Sequence, residues 1–506
     1  MTNHPSTHPN GEKLDDLPIS RRLSDNMEII KRIFAECGDL KIFPWNFGIG
    51  LENGACSVFL DTLVNHRRHN DFKDALQNLT TQRIGSAESV RLEEFIDFFE
   101  NHGTAEPAAE LLMNITRAVA GILDGYVVVF LEGWNRALGF QALDIAQRQV
   151  SEPITEPNVQ GPHASTIEDL DSNIGVIRNL LKTSRLKFHF FNAGANTRRR
   201  VAYGYLDNVV NPAALDEFRL RLKGISAEEI LDVSYLESWI SSSRLSPFPQ
   251  VRYTERPDTA VAALLEGKIV ALVNGSPSVL ICPASFMEFF VASEDYYYGI
   301  VYSTLIRFLR ISAFIIALLL PSTYIALSTF HSELIPTVLL LAILNTREGI
   351  PFPAMVEALI MEFFFEMLRE AGIRLPRPIG SAVSIVGALV IGQAAIQSQI
   401  ASPVMVIVVA LTGIASFALP QYNMAIALRI LRFPLMFLAA SFGGLGIMVG
   451  FLLIYLHLTC LHSLGEPYLS PLAPLKPIKF RNSLFVPSRR DARPSLRKRP
   501  ANERRP

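Results

Sequence analysis

Cysteine is scarce in this 506-residue sequence: Cys37, Cys56, Cys282 and Cys460 stand far apart, with no C-x-x-C pair. Metal-ligand spacing is missing too, so isolated reduced thiols are expected rather than a disulfide framework or a metal site. Charge is also in short supply, at 19% Asp, Glu, Lys and Arg against about 25% in a typical soluble chain. The shortage is local, because residues 379–428 contain none of the four. That stretch excludes a wholly soluble protein and a disordered one. Neither sign is in excess, with 47 Lys+Arg against 48 Asp+Glu, which argues against a nucleic-acid binder. Enzyme signatures are missing: there is no P-loop, dinucleotide fingerprint, G-x-S-x-G or H-E-x-x-H. Neither catalysis nor a cofactor is expected. The opening MTNHPSTHPNGEKLDD is polar and lacks an apolar core, so no cleavable signal peptide is expected and the polar half is expected in the cytoplasm.

What is present divides the chain. Residues 1–26 are rich in Pro, Asn, Asp and Ser and read as a tail. Residues 27–147 read as a first cytoplasmic α/β subdomain, with helical spacing over 27–36 and helices over 93–99 and 108–120. Strands are expected over 57–63 and, most clearly, over the YVVVFL run 126–131. Residues 148–164 hold three prolines and a glycine and form an extended connector. A second α/β subdomain spans 165–298. Its helices are expected at 166–181, 215–222, 236–240 and 257–265, and its strands at 186–191, 201–206, 269–273 and 278–281. Asn274-Gly275 supplies the turn between the last two strands.

The two subdomains resemble each other. SVFLDTLVN around Asp61 matches AYGYLDNVVN around Asp207, and the run after Gly125 matches the run after Gly267 at nearly the same interval. An internal duplication is the reading.

Residues 299–465 read as a helical membrane domain, and 466–506 as a basic tail. Residues 311–330, 379–400, 403–419 and 433–457 are long enough, or nearly so, to cross a bilayer, the last with a Gly443-Gly444-Leu445-Gly446 break. Residues 334–344 are short and 354–369 carry acids, so four or six crossings remain open. Arg307 and Arg310 before the first span, and eleven Lys/Arg from Lys476 onward, place both ends inside.

Long motifs in order carry a family resemblance. They are PFPQVRYTERPDTAVAALLEGKIVALVNGSPSVLICPASFMEFF with SEDYY, then LPSTYIALSTFHSELIPT, REGIPFPAMVEALIMEFFFEMLREAGIRLPRPIG, SIVGALVIGQAAI and the closing HSLGEPYLSPLAP. Over residues 148–474 the chain resembles the A subunits of GerA-type spore germination receptors. It departs at Gln160-Gly161-Pro162-His163-Ala164-Ser165, where the family usually has a basic residue before Gly-Pro and Arg-Glu-Gly-Phe after it. The resemblance implies an α/β cytoplasmic region of two related subdomains followed by an α-helical transmembrane domain. It implies residence in the inner membrane of the bacterial spore. It also implies a transporter-like B subunit that holds the nutrient, a lipoprotein C subunit, and a homo-oligomeric ring, expected as a pentamer, that conducts monovalent cations.

Within that frame several residues are candidates. Glu362, Glu366 and Glu370 share one helix face, with Arg369 beside it and Glu357 offset. In a ring they would form rings of carboxylates that attract cations; on an interfacial helix they would simply be solvated. The uncharged run 381–399 offers small residues for close packing, with Ser384, Gln393 and Gln397 as polar groups. Val386 or Val390 would form an apolar gate, or the helix would merely pack. Pro351 and Pro353 before the acidic helix, and Pro376 and Pro378 after it, read as hinges or plain breaks. Glu255 and Arg256 are candidates for an inter-subunit ion pair, with Thr254 or Asp258 capping the helix that Pro257 starts. Glu294 and Asp295, before a tyrosine belt, are expected to pair with Arg307 or Arg310 and to couple the cytoplasmic and membrane parts. A non-conducting scaffold that couples the nutrient-binding subunit to another channel is the rival reading. A secondary transporter is weaker, since no inverted repeat is visible.

Overall fold

The structure, a computed structural model, describes residues 17–47, 52–64, 109–143, 153, 156, 160–225 and 228–485. The expected helix at 93–99, most of the connector, and the tail's end lie outside these residues. The chain packs as two units. One comprises Met1–Asn158, Pro162–Ile240 and Tyr253–Cys282; the other comprises Val159–Gly161, Ser241–Arg252 and Pro283–Pro506.

The first unit is built on two five-stranded sheets. In the first, helix α1 (Leu23–Ile33) precedes β1 (Leu40–Phe47) and β2 (Asn53–Leu60); β3 (Ala109–Leu112), α2 (Ile115–Leu123), β4 (Tyr126–Leu131) and β5 (Ala137–Gln141) follow. The strand order is β1-β2-β4-β5-β3, antiparallel throughout. Pro44 lies on β1, an edge strand, where a missing N–H is tolerated. Both faces of β4 are buried, which is why its run is apolar without alternation. Val128 and Phe130 pack with Ile30, Ile115 and Ile122, while Val127, Val129 and Leu131 pack with Phe59, Trp134 and Leu138.

The second sheet follows from α3 (Leu170–Leu180), β6 (Leu186–Ala193), β7 (Arg199–Leu206), α4 (Pro212–Leu222), α5 (Ser234–Ile240), β8 (Arg252–Thr254), α6 (Pro257–Leu265), β9 (Ile269–Val273) and β10 (Val279–Cys282). Its order, β6-β7-β9-β10-β8, repeats that of the first sheet strand for strand. Smaller features recur as well. The Asn26 side chain brackets Ser20, donating to its carbonyl at 2.7 Å and accepting from its N–H at 2.8 Å. Asn173 does the same to Ile167, at 2.5 and 2.8 Å. The Asp61 N–H bonds Asp39 O, and the Asp207 N–H bonds Arg185 O, both at 2.9 Å. Gly125 and Gly267 take φ of 84° and 88° before β4 and β9, a conformation that glycine allows cheaply.

A buried joint ties the two modules together. Asp39, just before β1, receives Nη2 of Arg178 on α3 at 2.6 Å, the neighbouring Nε, and the Thr62 hydroxyl at 3.0 Å. The Gly38 N–H reaches Phe188 O at 2.8 Å. Gly175 lets α3 lie against the Thr62 carbonyl, with which a Cβ would collide. Gly175→Ala is therefore expected to destabilise this unit by about 1–3 kcal/mol, read as a lower urea midpoint of the full chain.

The expected helix 166–181 begins only at Leu170 and the expected strand 57–63 is shifted to Asn53–Leu60; three further expectations differ more deeply. Residues 108–120 are not one helix but β3 followed by α2, started by Asn114, whose side chain accepts from the Arg117 N–H at 2.8 Å. The helix at Pro257 has Arg256 at its N-cap and no side-chain cap. The Thr254 hydroxyl instead accepts from the Arg256 N–H at 3.1 Å. Residues 433–457 belong to two helices, as follows.

The second unit is helical. It contains α7 (Ile300–Thr329), α8 (Thr337–Arg347), α9 (Ala354–Arg374), α10 (Arg377–Gln397), α11 (Pro403–Phe417), α12 (Tyr422–Phe442), α13 (Gly444–Cys460) and α14 (Pro477–Leu484), with a β11 (His462–Ser463) and β12 (Glu466–Pro467) hairpin before α14. By length and composition, α7 and α12 can cross a membrane. At 15 and 17 residues, α11 and α13 fall short of the roughly 20 a full crossing takes. Gly443, at φ 59°, separates α12 from α13. A Cβ on Gly446 would strike the Leu438 carbonyl, so the two helices meet closely.

Candidate functional site

The acids of α9 are bound within the chain. Glu357 is fully buried, receiving Arg347 Nη2 at 2.9 Å and the Ser402 N–H at 3.0 Å. Glu362 is 2% exposed and accepts Arg432 Nη1 at 2.6 Å, while Arg432 Nε donates to the Ala317 carbonyl at 3.0 Å. Glu366 pairs with Arg369, and Glu370 with Arg374. One helix thus holds four carboxylates, each with an arginine, two of them buried and two nearer the surface.

Helix α10 has two distinct sides. Gly380 and Gly387 bring it against α9: a Cβ at Gly380 would meet the Gly372 carbonyl at 2.5 Å, and one at Gly387 would meet Leu368 at 2.8 Å. Another side shows Val386, Leu389 and Val390, exposed by 58%, 68% and 56%, followed by exposed Gln393. Their i, i+3, i+4, i+7 spacing makes them one stripe. Val386, Val390 and Gln393 therefore fall together; Ser384 lies on the same helix, two residues before Val386.

At the start of α7 the expected ion pairs are present. Asp295 is buried on a 3-10 turn (Ser293–Tyr296); both its oxygens take Arg310 Nη1 at 2.8 Å, and Oδ2 takes Arg307 Nε at 3.0 Å. Arg307 also donates to the Ser483 carbonyl on α14 at 3.1 Å. Glu294 accepts through its carbonyl from the N–H groups of Tyr297 and Tyr298. In the first unit, buried Arg256 pairs with Asp258 at 2.7 Å. The Glu255 carbonyl accepts from the Thr166 N–H at 2.8 Å.

Sequence reasoning missed two groups. In the helical unit, the segment Ser241–Arg252 is held by Gln250. Its Oε1 takes the Ser242 N–H and hydroxyl, both at 2.7 Å, and its carbonyl takes the Ser463 hydroxyl at 2.7 Å. Ser463 in turn accepts the Ala284 N–H at 3.2 Å. The partners of Ser463 lie 179 and 213 residues away, so local spacing carries no sign of them. In the α/β unit, His189 stacks on Tyr203 and Tyr205. The Tyr205 hydroxyl donates to Glu36 at 2.6 Å and Arg219 approaches it at 3.2 Å; the tyrosine hydrogen bond, aided by that guanidinium, holds the Glu36 carboxyl below the usual range. Burial, with Arg219 nearby, keeps His189 below its ordinary value.

The chain combines a large α/β unit with a helical unit in which two helices are long and apolar enough to cross a membrane. Residues 28–501 match the family described as Bacillus/Clostridium GerA spore germination protein, and the chain belongs to that family. It is 40% identical over 469 residues to the uncharacterized membrane protein YfkQ of Bacillus subtilis (strain 168), covering 92% of this chain and 89% of that one. It is 45% identical over 361 residues to spore germination protein KA of the same organism, covering 71% of this chain and 66% of the relative. The crystal structure of the N-terminal domain of the A subunit of the Bacillus megaterium spore germinant receptor GerK3 aligns with 53% of this chain and 97% of that one, at 23% identity and a TM-score of 0.40.

Proposed function

We propose that the chain is a membrane subunit of a nutrient-responsive spore germination receptor in the spore inner membrane. It forms a homo-oligomeric ring, a pentamer, that conducts monovalent cations when a transporter-like B subunit binds the germinant; a lipoprotein C subunit completes the receptor. Membership of the GerA family supports the receptor role. The observation that carries the conducting role is the exposed stripe of α10, which is apolar at Val386, Leu389 and Val390 and polar at Gln393. Copies arranged around an axis would turn that stripe inward. Val386 and Val390 would then close the path by dewetting, and Gln393 would hydrate ions beside it. Asp295, Arg307 and Arg310 fix the start of α7, where a movement of the α/β unit would be received.

Potassium flux from liposomes holding the purified full chain tests this reading. Val390→Ala is expected to raise flux severalfold over wild type. A second reading, the non-conducting scaffold, is favoured by the arginine beside each of the four α9 carboxylates, which offsets the negative rings a cation path would use. An intact oligomer with no flux from either protein would decide for the scaffold.

A further inference from the structure

A cluster of arginines lies where α9 meets α12. Arg432 is committed to Glu362, and Arg369 to Glu366. Arg429, one turn before Arg432 on α12, is 7% exposed, and its guanidinium sits over the Tyr422 ring at 5.4 Å. Its Nε and Nη2 are both buried and have no hydrogen-bond partner among the described residues. Arg432 Nη2 and Arg369 Nε are likewise buried and unpartnered. Arg429 and Arg432 stand one turn apart on α12, and Glu362 and Glu366, which hold Arg432 and Arg369, stand one turn apart on α9. Three arginines face two carboxylates, which leaves one positive charge over.

An arginine does not shed its proton inside a protein, and a buried charge without a counter-charge is strongly unfavourable. Nε and Nη2 form one edge of the guanidinium fork, the edge that takes two oxygens of a single anion side by side. The geometry points to an oxyanion site at Arg429, completed by Arg432 Nη2 and Arg369 Nε, whose ligand is a phosphate group. The favoured source is the phosphodiester of an anionic phospholipid. Tyr422 opens α12, a helix of membrane length, and its exposed ring suits the headgroup level. Basic pockets between membrane helices take lipid headgroups in this way. Free inorganic phosphate offers the same two oxygens.

The test uses the full chain in neutral detergent. Thermal unfolding is followed with added phosphatidylglycerol, with added inorganic phosphate, and with neither, for wild type and Arg429→Gln. A ligand that binds only the folded state raises the midpoint. A rise with phosphatidylglycerol alone that is lost in the variant identifies the lipid. A rise with inorganic phosphate as well, also lost in the variant, supports the site and assigns it to a free anion. Losing the fork should weaken binding about 10- to 100-fold. No rise with either probe, or an equal rise in the variant, overturns the proposal. Should Arg429→Gln fail to fold, Arg429→Lys keeps the charge and removes the fork; undiminished binding there overturns the two-oxygen geometry.

Discussion

Replacing Asp39 by Ala is expected to cost the α/β unit about 3–5 kcal/mol, because it leaves the Arg178 guanidinium buried without its counter-charge. Both side chains are enclosed, and the contact is bidentate with Thr62 as a third partner. The pair also bridges the two modules: Asp39 precedes β1, while Arg178 lies on the helix that opens the second sheet. Loss should therefore appear as uncoupled unfolding, with two transitions in urea where wild type gives one. Asp39→Ala combined with Arg178→Met should regain much of the stability, since a packed apolar pair replaces an ionic one at little net cost. A single unshifted transition in Asp39→Ala would show that the pair does not hold the modules together.

Replacing Glu362 by Ala should be of similar size, about 3–5 kcal/mol, and should act on folding before any ion current is measured. Its partner Arg432 is as deeply buried as Glu362 itself. The expected result is a large drop in folded protein recovered in detergent, partly reversed in Glu362→Met with Arg432→Leu. Glu366→Gln breaks a pair with more solvent around it and should cost about 1 kcal/mol or less. Of the two acids, Glu366 is thus the one whose neutralisation reports on ion attraction. Normal yield and thermal stability of Glu362→Ala would refute the structural role.

The legibility of the sequence followed the range of the interactions. Residues 126–131, 257–265 and 269–273 form elements with the bounds that composition and punctuation suggest, because burial on both faces or a proline start marks them locally. Residues 109–112 read as helical because AELL is made of helix formers. Pairing with β5 overrides that preference, and Asn114 marks where the helix begins. Asp295 and its arginines were within reach because a dozen or so residues separate them. Glu362 and Arg432 lie 70 apart, and Asp39 and Arg178 lie 139 apart; periodicity has no memory over such distances. The acidic face of α9 was visible as a row of charges, but its neutralisation was not, because two of the partnering arginines come from other helices. The exposed stripe of α10 carries three of the proposed pore residues, since helical spacing alone places Val386, Val390 and Gln393 on one side.

The matched modules bear on how many of them can stack. Two like units that join head to tail leave one free edge of each kind, and such contacts can in principle continue into a filament. Here the surfaces at the two ends differ from those at the seam. Where the first module offers Asp39 to the joint, the second has Arg185, as their common bonds to Asp61 and Asp207 show. In register with Asn26 and Asn173, Lys31 stands where the joint has Arg178, and Glu28 stands where Gly175 allows close approach. Glu28 is exposed and paired with Arg32. A third module would meet a cation in place of the carboxylate at one end, and at the other a bulky charged side chain where the seam needs bare backbone. The array is capped at two, in the manner of a repeat protein whose polar outer faces stop further growth.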